Sequence, residues 1–394
     1  MKTAGIVAEY NPYHNGHRYL AEKLRKQGAT HIAAVMSGHL VQRGEPALFS
    51  KWARAEAALR CGVDLVIELP SLYAALSAER FALAAVTLLN RMGCVDWLGF
   101  GSESGDTGLL WKTAEACTSP KTDALIRTEL AEGVSYAAAR QTAVERLAGA
   151  EAAAVLSRPN DLLGVEYCKA LQRLRSSIVP VTVSRAGVEH DAPSASQKIA
   201  SASLVREKIK NGEPFQAFVP ESARAVYGAE LAHRTAPCRM ERLETVLLFQ
   251  LRRYSQADFT ALPDVSEGLE SRLYRAAQTA RSLEEFYSLA KTKRYAHARL
   301  RRISLYAALE IGKRDLEIPP PYLRILGMNT RGKEIAARMK EHARLPYGTS
   351  LAKLARMGGN RVAELEIRAG DLFGLGLPAP FPSGFDYTKE AVFV

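Results

Sequence analysis

The sequence lacks the features that mark membrane-spanning, secreted and disordered proteins. No apolar run approaches the ~20 residues that a membrane-spanning helix needs. Its start runs directly into a strand pattern, without the charged leader and long apolar stretch of an export signal. With 47% hydrophobic and 24% charged residues, the composition is that of an ordinary folded protein. We therefore expect a cytoplasmic protein without a membrane partner.

Cysteine pairs are also missing. The chain has five cysteines, which lie far apart and without a Cys-x-x-Cys spacing: Cys61, Cys94, Cys117, Cys168 and Cys238. Neither a zinc knuckle nor a disulfide framework is expected, so we predict that these side chains serve in packing.

The order of periodic segments predicts two structural parts in the 394 residues. Up to about residue 210, short β-branched runs alternate with helical patterns, which is typical of a parallel sheet covered by helices. The predicted strands are 5–9, 31–36, 65–69, 97–100 and 178–183. Beyond about residue 213, helical patterns follow one another and the strand signal fades. We predict an α/β domain over residues 1–212 and a mostly helical domain over residues 213–394.

Positive charge is concentrated towards the C-terminus. Residues 251–394 contain 24 Lys and Arg against 16 Asp and Glu, which accounts for eight of the chain's net +11 charges. A twelve-residue segment in this part carries six formal positive charges and one tyrosine. Such a segment suits a phosphate backbone and a stacked base, although basic helices are often only solvated. The predicted RNA contacts are Lys291, Lys293, Arg294, Tyr295, Arg299, Arg301 and Arg302.

The most informative motif follows the first predicted strand. An Asn-Pro pair forces an extended turn there, and a helix is predicted to begin near Gly16. At this helix start stands the tetrapeptide His14-Asn15-Gly16-His17. First-turn N–H groups and the positive end of the helix dipole make such a position an anion site. Because two imidazoles there can donate to phosphate oxygens, we predict His14 and His17 as catalytic residues.

The motif resembles the HxGH signature of the nucleotidyltransferase superfamily, whose members transfer an adenylyl group from ATP on a Rossmann-like sheet. A second superfamily signature, close to Ser-Ser-Thr-x-x-Arg, stands at a later helix start. Residues 201–206 hold the equivalent place, with Ala202 replacing a hydroxyl residue. On this resemblance Ser203 and Arg206 belong to the ATP site; an ordinary helix cap is the alternative for Ser203.

Longer stretches are similar to the tRNA(Met) cytidine acetate ligase family over nearly the whole chain. They are MSGHLVQRGEPA at 36–47, KWAR at 51–54, DLVIELP at 64–70, FGSE at 100–103, PNDLLGVEY at 159–167 and KTKRY at 291–295. One departure is His39, where the family usually has Asn. The resemblance implies a Rossmann-like parallel sheet of the HxGH type, followed by a mostly helical, tRNA-binding part.

Members of that family activate acetate as acetyl-adenylate and pass the acetyl group to N4 of the wobble cytidine of elongator tRNA(Met). The resemblance thus implies an ATP-dependent ligase that releases pyrophosphate and AMP. Its partners would be ATP, acetate and elongator tRNA(Met), and no protein partner is evident. Mg²⁺ is expected to be held mainly by ATP, because no carboxylate cluster in the sequence suggests a protein cage.

The resemblance also places ATP along the first βα turn and at positions further along the chain. Alternatives stay open for three of these: a turn glycine for Gly101, a helix cap for Asn160 and a solvated side chain for Arg185. The predicted ATP-binding residues are Val7, Ala8, Glu9, Tyr10, Asn11, Pro12, Tyr13, His14, Asn15, Gly16, His17, Arg18, Tyr19, Leu20, Gly101, Asn160, Arg185, Ser203 and Arg206.

The segment Gln42-Arg43-Gly44-Glu45 has unusual chemistry for a connecting loop, and we expect it to close over the site. Arg43 could hold acetate or a phosphate. Glu45 and Lys51 could pair with each other or contact a ligand, and a plain salt-bridged loop is equally compatible with Glu45.

Two other functions are compatible with parts of this pattern. A small-molecule adenylyltransferase of cofactor biosynthesis would share the histidine motif, but it has no need of a basic helical half. A non-catalytic RNA-binding protein would have no need of the intact histidine motif. A class I aminoacyl-tRNA synthetase would carry a Lys-Met-Ser-Lys-Ser loop, which the sequence lacks.

Overall fold

A computed structural model describes residues 1–184, 200–266, 268–292 and 296–394. The strands in these ranges are β1 Thr3–Ala8, β2 His31–Ser37, β3 Leu40–Val41, β4 Glu45–Pro46, β5 Leu65–Leu69, β6 Trp97–Ser102, β7 Val179–Ser184, β8 Leu323–Met328, β9 Tyr347–Gly348 and β10 Val392–Phe393. Within the same ranges, no helix combines the length and the apolar character that crossing a bilayer requires.

The α-helices before residue 184 connect and cover the first strands. They are α1 Asn15–Lys26, α2 Lys51–Arg60, α3 Ser71–Ala74, α4 Ala78–Arg91, α5 Thr107–Thr118, α6 Pro120–Ala131, α7 Tyr136–Ala148, α8 Ala150–Val155 and α9 Pro159–Arg173. The later ones are α10 Ala202–Asn211, α11 Glu221–Ala232, α12 Met240–Arg253, α13 Gln256–Ala261, α14 Leu269–Thr279, α15 Leu283–Ala290, α16 His297–Leu309, α17 Thr330–His342, α18 Leu351–Leu354, α19 Asn360–Leu375 and α20 Phe385–Thr388.

One sheet forms the centre of the molecule, with strand order β10-β8-β5-β2-β1-β6-β7 and β9 beside β8. The five strands β5, β2, β1, β6 and β7 run parallel, as the alternating pattern predicts. Helices cover these strands, so a strand such as β2 is buried along its whole length and reads as one apolar run. The carboxyl ends of parallel strands meet at one edge of a sheet, where ligands bind in folds of this type.

The C-terminal part adds strands that the sequence pattern does not reveal. Strand β8 pairs antiparallel with β5, and both β9 and β10 pair with β8. A six-residue Leu-rich run that contains an arginine is no more typical of a strand than of a helix. The part beyond residue 213 is nevertheless mostly helical, as expected. The division between residues 212 and 213 stays a prediction, because both large apolar clusters draw side chains from both parts.

A buried cluster of five charged side chains joins the C-terminal elements to the sheet. Lys51, at the start of α2, places its Nζ 2.7 Å from Glu366 on α19 and 2.6 Å from Asp386 on α20. Its third partner is Glu68 on β5. Arg324 on β8 also pairs with Glu68, at 3.2 Å, and with Asp386. Burial and the neighbouring Glu68 raise the pKa of Glu366, which favours its neutral form among the two cations and the two other carboxylates.

Replacing Lys51 by Met should lower the free energy of unfolding by about 3 to 5 kcal/mol, because three carboxyl groups would then face one guanidinium in a buried site. Urea denaturation followed by circular dichroism measures this change. Arg60→Met on the same helix is the matched control, since Arg60 pairs with Glu56 at 2.8 Å on the surface. The control should lose less than about 0.5 kcal/mol. Equal losses in the two variants would contradict the anchoring role.

Candidate nucleotide-binding site

The chain reverses direction between β1 and α1 in a short turn that two distant residues hold in place. Tyr10 takes a left-handed backbone conformation with φ 45°, and the Asn11–Pro12 bond is cis. The Asn11 side chain accepts a hydrogen bond from the N–H of Leu48 at 2.9 Å. The N–H of Tyr13 donates to the hydroxyl of Tyr227 at 2.8 Å. The predicted strand, turn and helix are thereby confirmed, and the helix begins at Asn15.

The two histidines cap the start of α1 reciprocally. Nδ1 of His14 accepts from the N–H of Gly16 at 3.0 Å, and Nδ1 of His17 accepts from the N–H of His14 at 3.2 Å. Because Nδ1 accepts in both rings, a neutral ring carries its proton on Nε2. The ring centroids lie 3.9 Å apart, so the two imidazoles form one unit at the positive end of the helix dipole.

Two buried tyrosines support this unit. The Tyr10 ring meets the His17 ring edge-on at 4.9 Å, and the Tyr13 ring lies 5.4 Å from it. Burial raises the pKa of Tyr10 and the pKa of Tyr13, so both phenols stay neutral. The rings therefore fix the orientation of His17 from the interior side.

The remaining positions of the predicted stretch extend on either side of the turn. Val7 and Ala8 end β1, and Pro12 lies in the turn itself. Asn15 donates from Nδ2 to the carbonyl of Ala217 at 3.0 Å. Arg18 pairs with Glu22 at 2.7 Å on the outer face of α1, which continues through Tyr19 and Leu20.

The second motif lies beside the first, as the superfamily resemblance implies. Arg206 donates from Nη1 to the carbonyl of Asn11 at 3.0 Å and from Nη2 to the hydroxyl of Ser203 at 2.9 Å. Ser201, whose Oγ accepts from the N–H of Leu204 at 3.2 Å, caps α10. The cap alternative for Ser203 is therefore wrong, and its hydroxyl faces the arginines instead.

The short hairpin formed by β3 and β4 also contacts the second motif. Arg43, in its turn, donates to the hydroxyl of Ser203 at 3.3 Å. The N–H of Gln42 donates to the carboxylate of Glu9 at 3.0 Å. Burial raises the pKa of Glu9, and the nearby guanidiniums of Arg206 and Arg43 oppose this shift. The hairpin thus packs against the β1–α1 turn, and its arginine adds positive charge to the site.

Of the alternatives left open for Glu45 and Lys51, a pairing with each other does not occur, and Glu45 belongs to a salt-bridged loop. Lys51 is fully buried in the charged cluster that includes Glu366 and Asp386. Glu45 instead pairs with Arg301 on α16. Burial explains the outcome, since the Lys51 ammonium lies inside the fold and needs partners there.

Arg54 is a structural residue of the site for which the sequence patterns predict no role. Its buried guanidinium donates to the carbonyls of Glu9 at 2.6 Å, Ser37 at 3.0 Å and Phe49 at 3.0 Å, and to that of Gly38. It thereby ties the ends of β1 and β2 together. Burial lowers the pKa of Arg54 to about 10. The sequence signals were the KWAR stretch of the family resemblance and a charged residue in the alanine-rich α2 segment.

The second side of the sheet edge follows β6 and β7. Gly101 lies one residue before the end of β6. Beside it, the carboxylate of Glu103 accepts from Nδ2 of Asn160 at 2.6 Å and from the N–H of Asp161 at 2.8 Å. Glu103 therefore satisfies the start of α9, and the cap alternative for Asn160 is wrong. Arg185, which follows β7 directly, lies outside the described residues.

The basic C-terminal segment is described only in part, since Lys293, Arg294 and Tyr295 lie outside the described residues. Lys291 is exposed. Arg302 is only 8% exposed and pairs with Asp264 at 2.9 Å.

The two remaining arginines of this segment make contacts within the fold. Arg299 donates from Nε to the carbonyl of Asp264 at 2.7 Å, and Arg301 holds Glu45. The RNA-contact role of the segment stays a prediction.

Among the described residues, one cluster of three carboxylates has the spacing of metal ligands. It consists of Glu68, Glu366 and Asp386. The ammonium of Lys51 and the guanidinium of Arg324 already neutralise this group from inside the fold. The group therefore fits a structural ion cluster better than a Mg²⁺ site, since Mg²⁺ retains several waters and is bound by carboxylates together with substrate phosphates.

Comparison with known proteins gives a consistent result. A model of the HIGH Nucleotidyl Transferase family matches residues 1–383. The tRNA(Met) cytidine acetate ligase of Caldanaerobacter subterraneus is 36% identical over 384 residues, which cover 95% of this chain and 95% of that protein. The protein of the same name from Caldicellulosiruptor saccharolyticus is 38% identical over 384 residues, or 95% of this chain and 94% of that one.

A solved structure agrees with these sequence relatives. The crystal structure of Thermotoga maritima TmcAL bound with alpha-thio ATP is 31% identical to this chain, covers 100% of both chains and has a TM-score of 0.93. Histidine motif, sheet and near-complete coverage all agree, so this chain belongs to the tRNA(Met) cytidine acetate ligase family of HIGH nucleotidyl transferases.

Proposed function

We propose that this chain is an ATP-dependent ligase that forms N4-acetylcytidine at the wobble position of elongator tRNA(Met). The observation that carries the proposal is the reciprocal cap of His14 and His17 at the end of a turn whose Asn11 carbonyl accepts from Arg206. Arg43 lies beside Arg206, because both donate to the hydroxyl of Ser203. A relative of the same fold binds alpha-thio ATP. Relatives that match nearly the whole chain carry the name of this ligase.

The triphosphate of ATP would lie at the start of α1. There the imidazole N–H groups, the helix dipole and the two guanidiniums supply donors and positive charge. An oxygen of acetate attacks the α-phosphorus, the bond from this phosphorus to the bridging oxygen breaks, and pyrophosphate leaves. The product is acetyl-adenylate. Catalysis then rests on positioning and on donors matched to the developing charge, with no covalent bond to the protein.

The acetyl group would next pass to the RNA. N4 of the wobble cytidine attacks the acetyl carbonyl, the bond to the phosphate oxygen of AMP breaks, and N4 loses a proton. An exocyclic cytidine amine is a weak nucleophile, so an activated acyl donor is needed. Mg²⁺ would shield the phosphates and be held mainly by ATP. The buried cluster of three carboxylates does not offer a site, because Lys51 and Arg324 already neutralise it.

The tRNA would dock on the basic C-terminal part, where Lys291 is exposed. In this proposal the enzyme acts in the cytoplasm, where its tRNA substrate is found. A small-molecule adenylyltransferase would use the same histidine unit, but it would leave the exposed part of the basic segment, such as Lys291, without a ligand.

One incubation separates these functions. The purified protein is mixed with ATP, labelled acetate and total tRNA, and a parallel sample receives labelled acetyl-CoA instead. The proposed ligase labels tRNA from acetate and requires ATP. Label from acetyl-CoA alone, or no label in tRNA, would refute the proposal.

Replacing His14 by Asn should reduce acetate-dependent ATP–pyrophosphate exchange by about 10²- to 10³-fold, the usual effect of losing one donor to a developing oxyanion. Asparagine is itself a good helix cap, so the start of α1 should persist. His17→Ala should have an effect of the same size. Exchange rates are measured without tRNA, and tRNA affinity should stay close to that of the wild type.

Ser282→Ala is the matched control for these variants, because the Ser282 hydroxyl caps α15 by accepting from the N–H of Glu285 at 3.1 Å. It removes a helix cap in the C-terminal part, and its exchange rate should equal that of the wild type. An unchanged exchange rate in His14→Asn and His17→Ala would exclude both histidines from the reaction.

Lys291→Ala and Arg294→Ala should each weaken tRNA binding and lower the slope of log K against log salt by about one unit, if each side chain neutralises one phosphate. Filter binding between about 50 and 200 mM salt measures the slope. Arg275→Ala, an exposed change on α14 with the same loss of charge, is the control. Slopes equal to that of the control would show that neither Lys291 nor Arg294 neutralises a tRNA phosphate.

A further inference from the structure

The β3–β4 hairpin lies between the ATP site and helix α16. Its turn residue Gly44 has φ +75° and packs directly on the helix backbone. A Cβ at Gly44 would lie 2.6 Å from the N of Arg302 and 2.9 Å from the Cβ of Arg301. Only glycine fits at such a position, because both the backbone conformation and the space exclude a side chain. The hairpin turn therefore packs on α16 at Arg301 and Arg302.

An ion pair fixes the hairpin to this surface. Glu45, next to Gly44, pairs with the guanidinium of Arg301, and the two side chains are 24% and 34% exposed. The helix itself is held firmly, since Arg302 makes two bonds to Asp264 at 3.1 and 2.9 Å and Leu300 is buried. Arg301 thus presents its charge from a rigid element.

The same hairpin turn also carries the arginine that reaches the proposed ATP site. Arg43 precedes Gly44 and donates to Ser203, which also accepts from Arg206. A free arginine side chain samples many rotamers, and fixing it costs up to about 2 kcal/mol. A guanidinium that is already oriented stabilises developing phosphate charge without this cost.

We propose that Arg301 is a positioning residue for the formation of acetyl-adenylate. It holds Glu45, and through the hairpin it holds Arg43 beside Ser203. The inference rests on the proposed function, and it assigns Arg301 to the adenylation step, which has no tRNA among its reactants. A phosphate contact by Arg301 would instead act only in the presence of tRNA.

The test is ATP–pyrophosphate exchange without tRNA at varied ATP concentration. Arg301→Ala should lower kcat/KM for ATP about tenfold, a typical coupling between residues in contact. In an Arg43→Ala background the same change should have no further effect, because Arg301 acts through Arg43. Arg301→Lys keeps the charge opposite Glu45 and should stay within about threefold of the wild type, as should Arg275→Ala.

The thermal midpoint of each variant is measured in parallel. A general loss of stability would lower the midpoint and would make the Arg301 and Arg43 effects multiply, which would overturn the inference. Normal tRNA-free exchange in Arg301→Ala, with only tRNA affinity reduced, would overturn it as well. If the wild type itself shows no acetate-dependent exchange, the result contradicts the proposed ligase function, and the role of Arg301 is then refuted as well. If only the variants behave differently from expectation, the result contradicts the role of Arg301 alone.

Discussion

Backbone groups at the carboxyl edge of a parallel sheet need hydrogen-bond partners, and in this protein side chains supply them. Arg54 donates hydrogen bonds to the carbonyls at the ends of β1 and β2. His14 and His17 accept hydrogen bonds from N–H groups at the start of α1, and Glu103 accepts from an N–H group at the start of α9. Unpaired polar groups in a partly buried edge would be costly, so these contacts hold the loops in one arrangement. The nucleotide site is built on that arrangement.

Ionic contacts inside the fold are the second determinant. Lys51, from the first third of the chain, meets carboxylates that lie more than three hundred residues later. His39 borders this cluster, with Nε2 3.2 Å from Asp386 and its ring stacked on Phe373 at 4.4 Å. Burial lowers the pKa of His39 to about 4, so the imidazole is neutral beside the cluster. His39 therefore adds no charge to the cluster.

The basic segment shows that formal charge overstates the surface available to RNA. Arg302 is buried against Asp264, and Arg301 neutralises Glu45. An arginine that pairs within the fold gives up part of its field to that partner, and its fork geometry fixes a neighbouring element instead. Charge counting thus finds the region of the chain that is basic, but it does not separate surface cations from internal ones.

The sequence by itself determined the five parallel strands, the helix start at the histidine motif and the family of the chain. Apolar runs, turn residues and caps act over a few neighbouring residues, so the linear pattern records them. Only the tertiary structure decided that Ser201 caps α10, that Glu103 caps α9, that β8 joins the sheet and that Glu45 pairs with Arg301. Several of these contacts join residues far apart in the chain. The residues next to a charged side chain in the sequence do not determine its ion-pair partner. That choice follows from which surfaces the folded chain brings together.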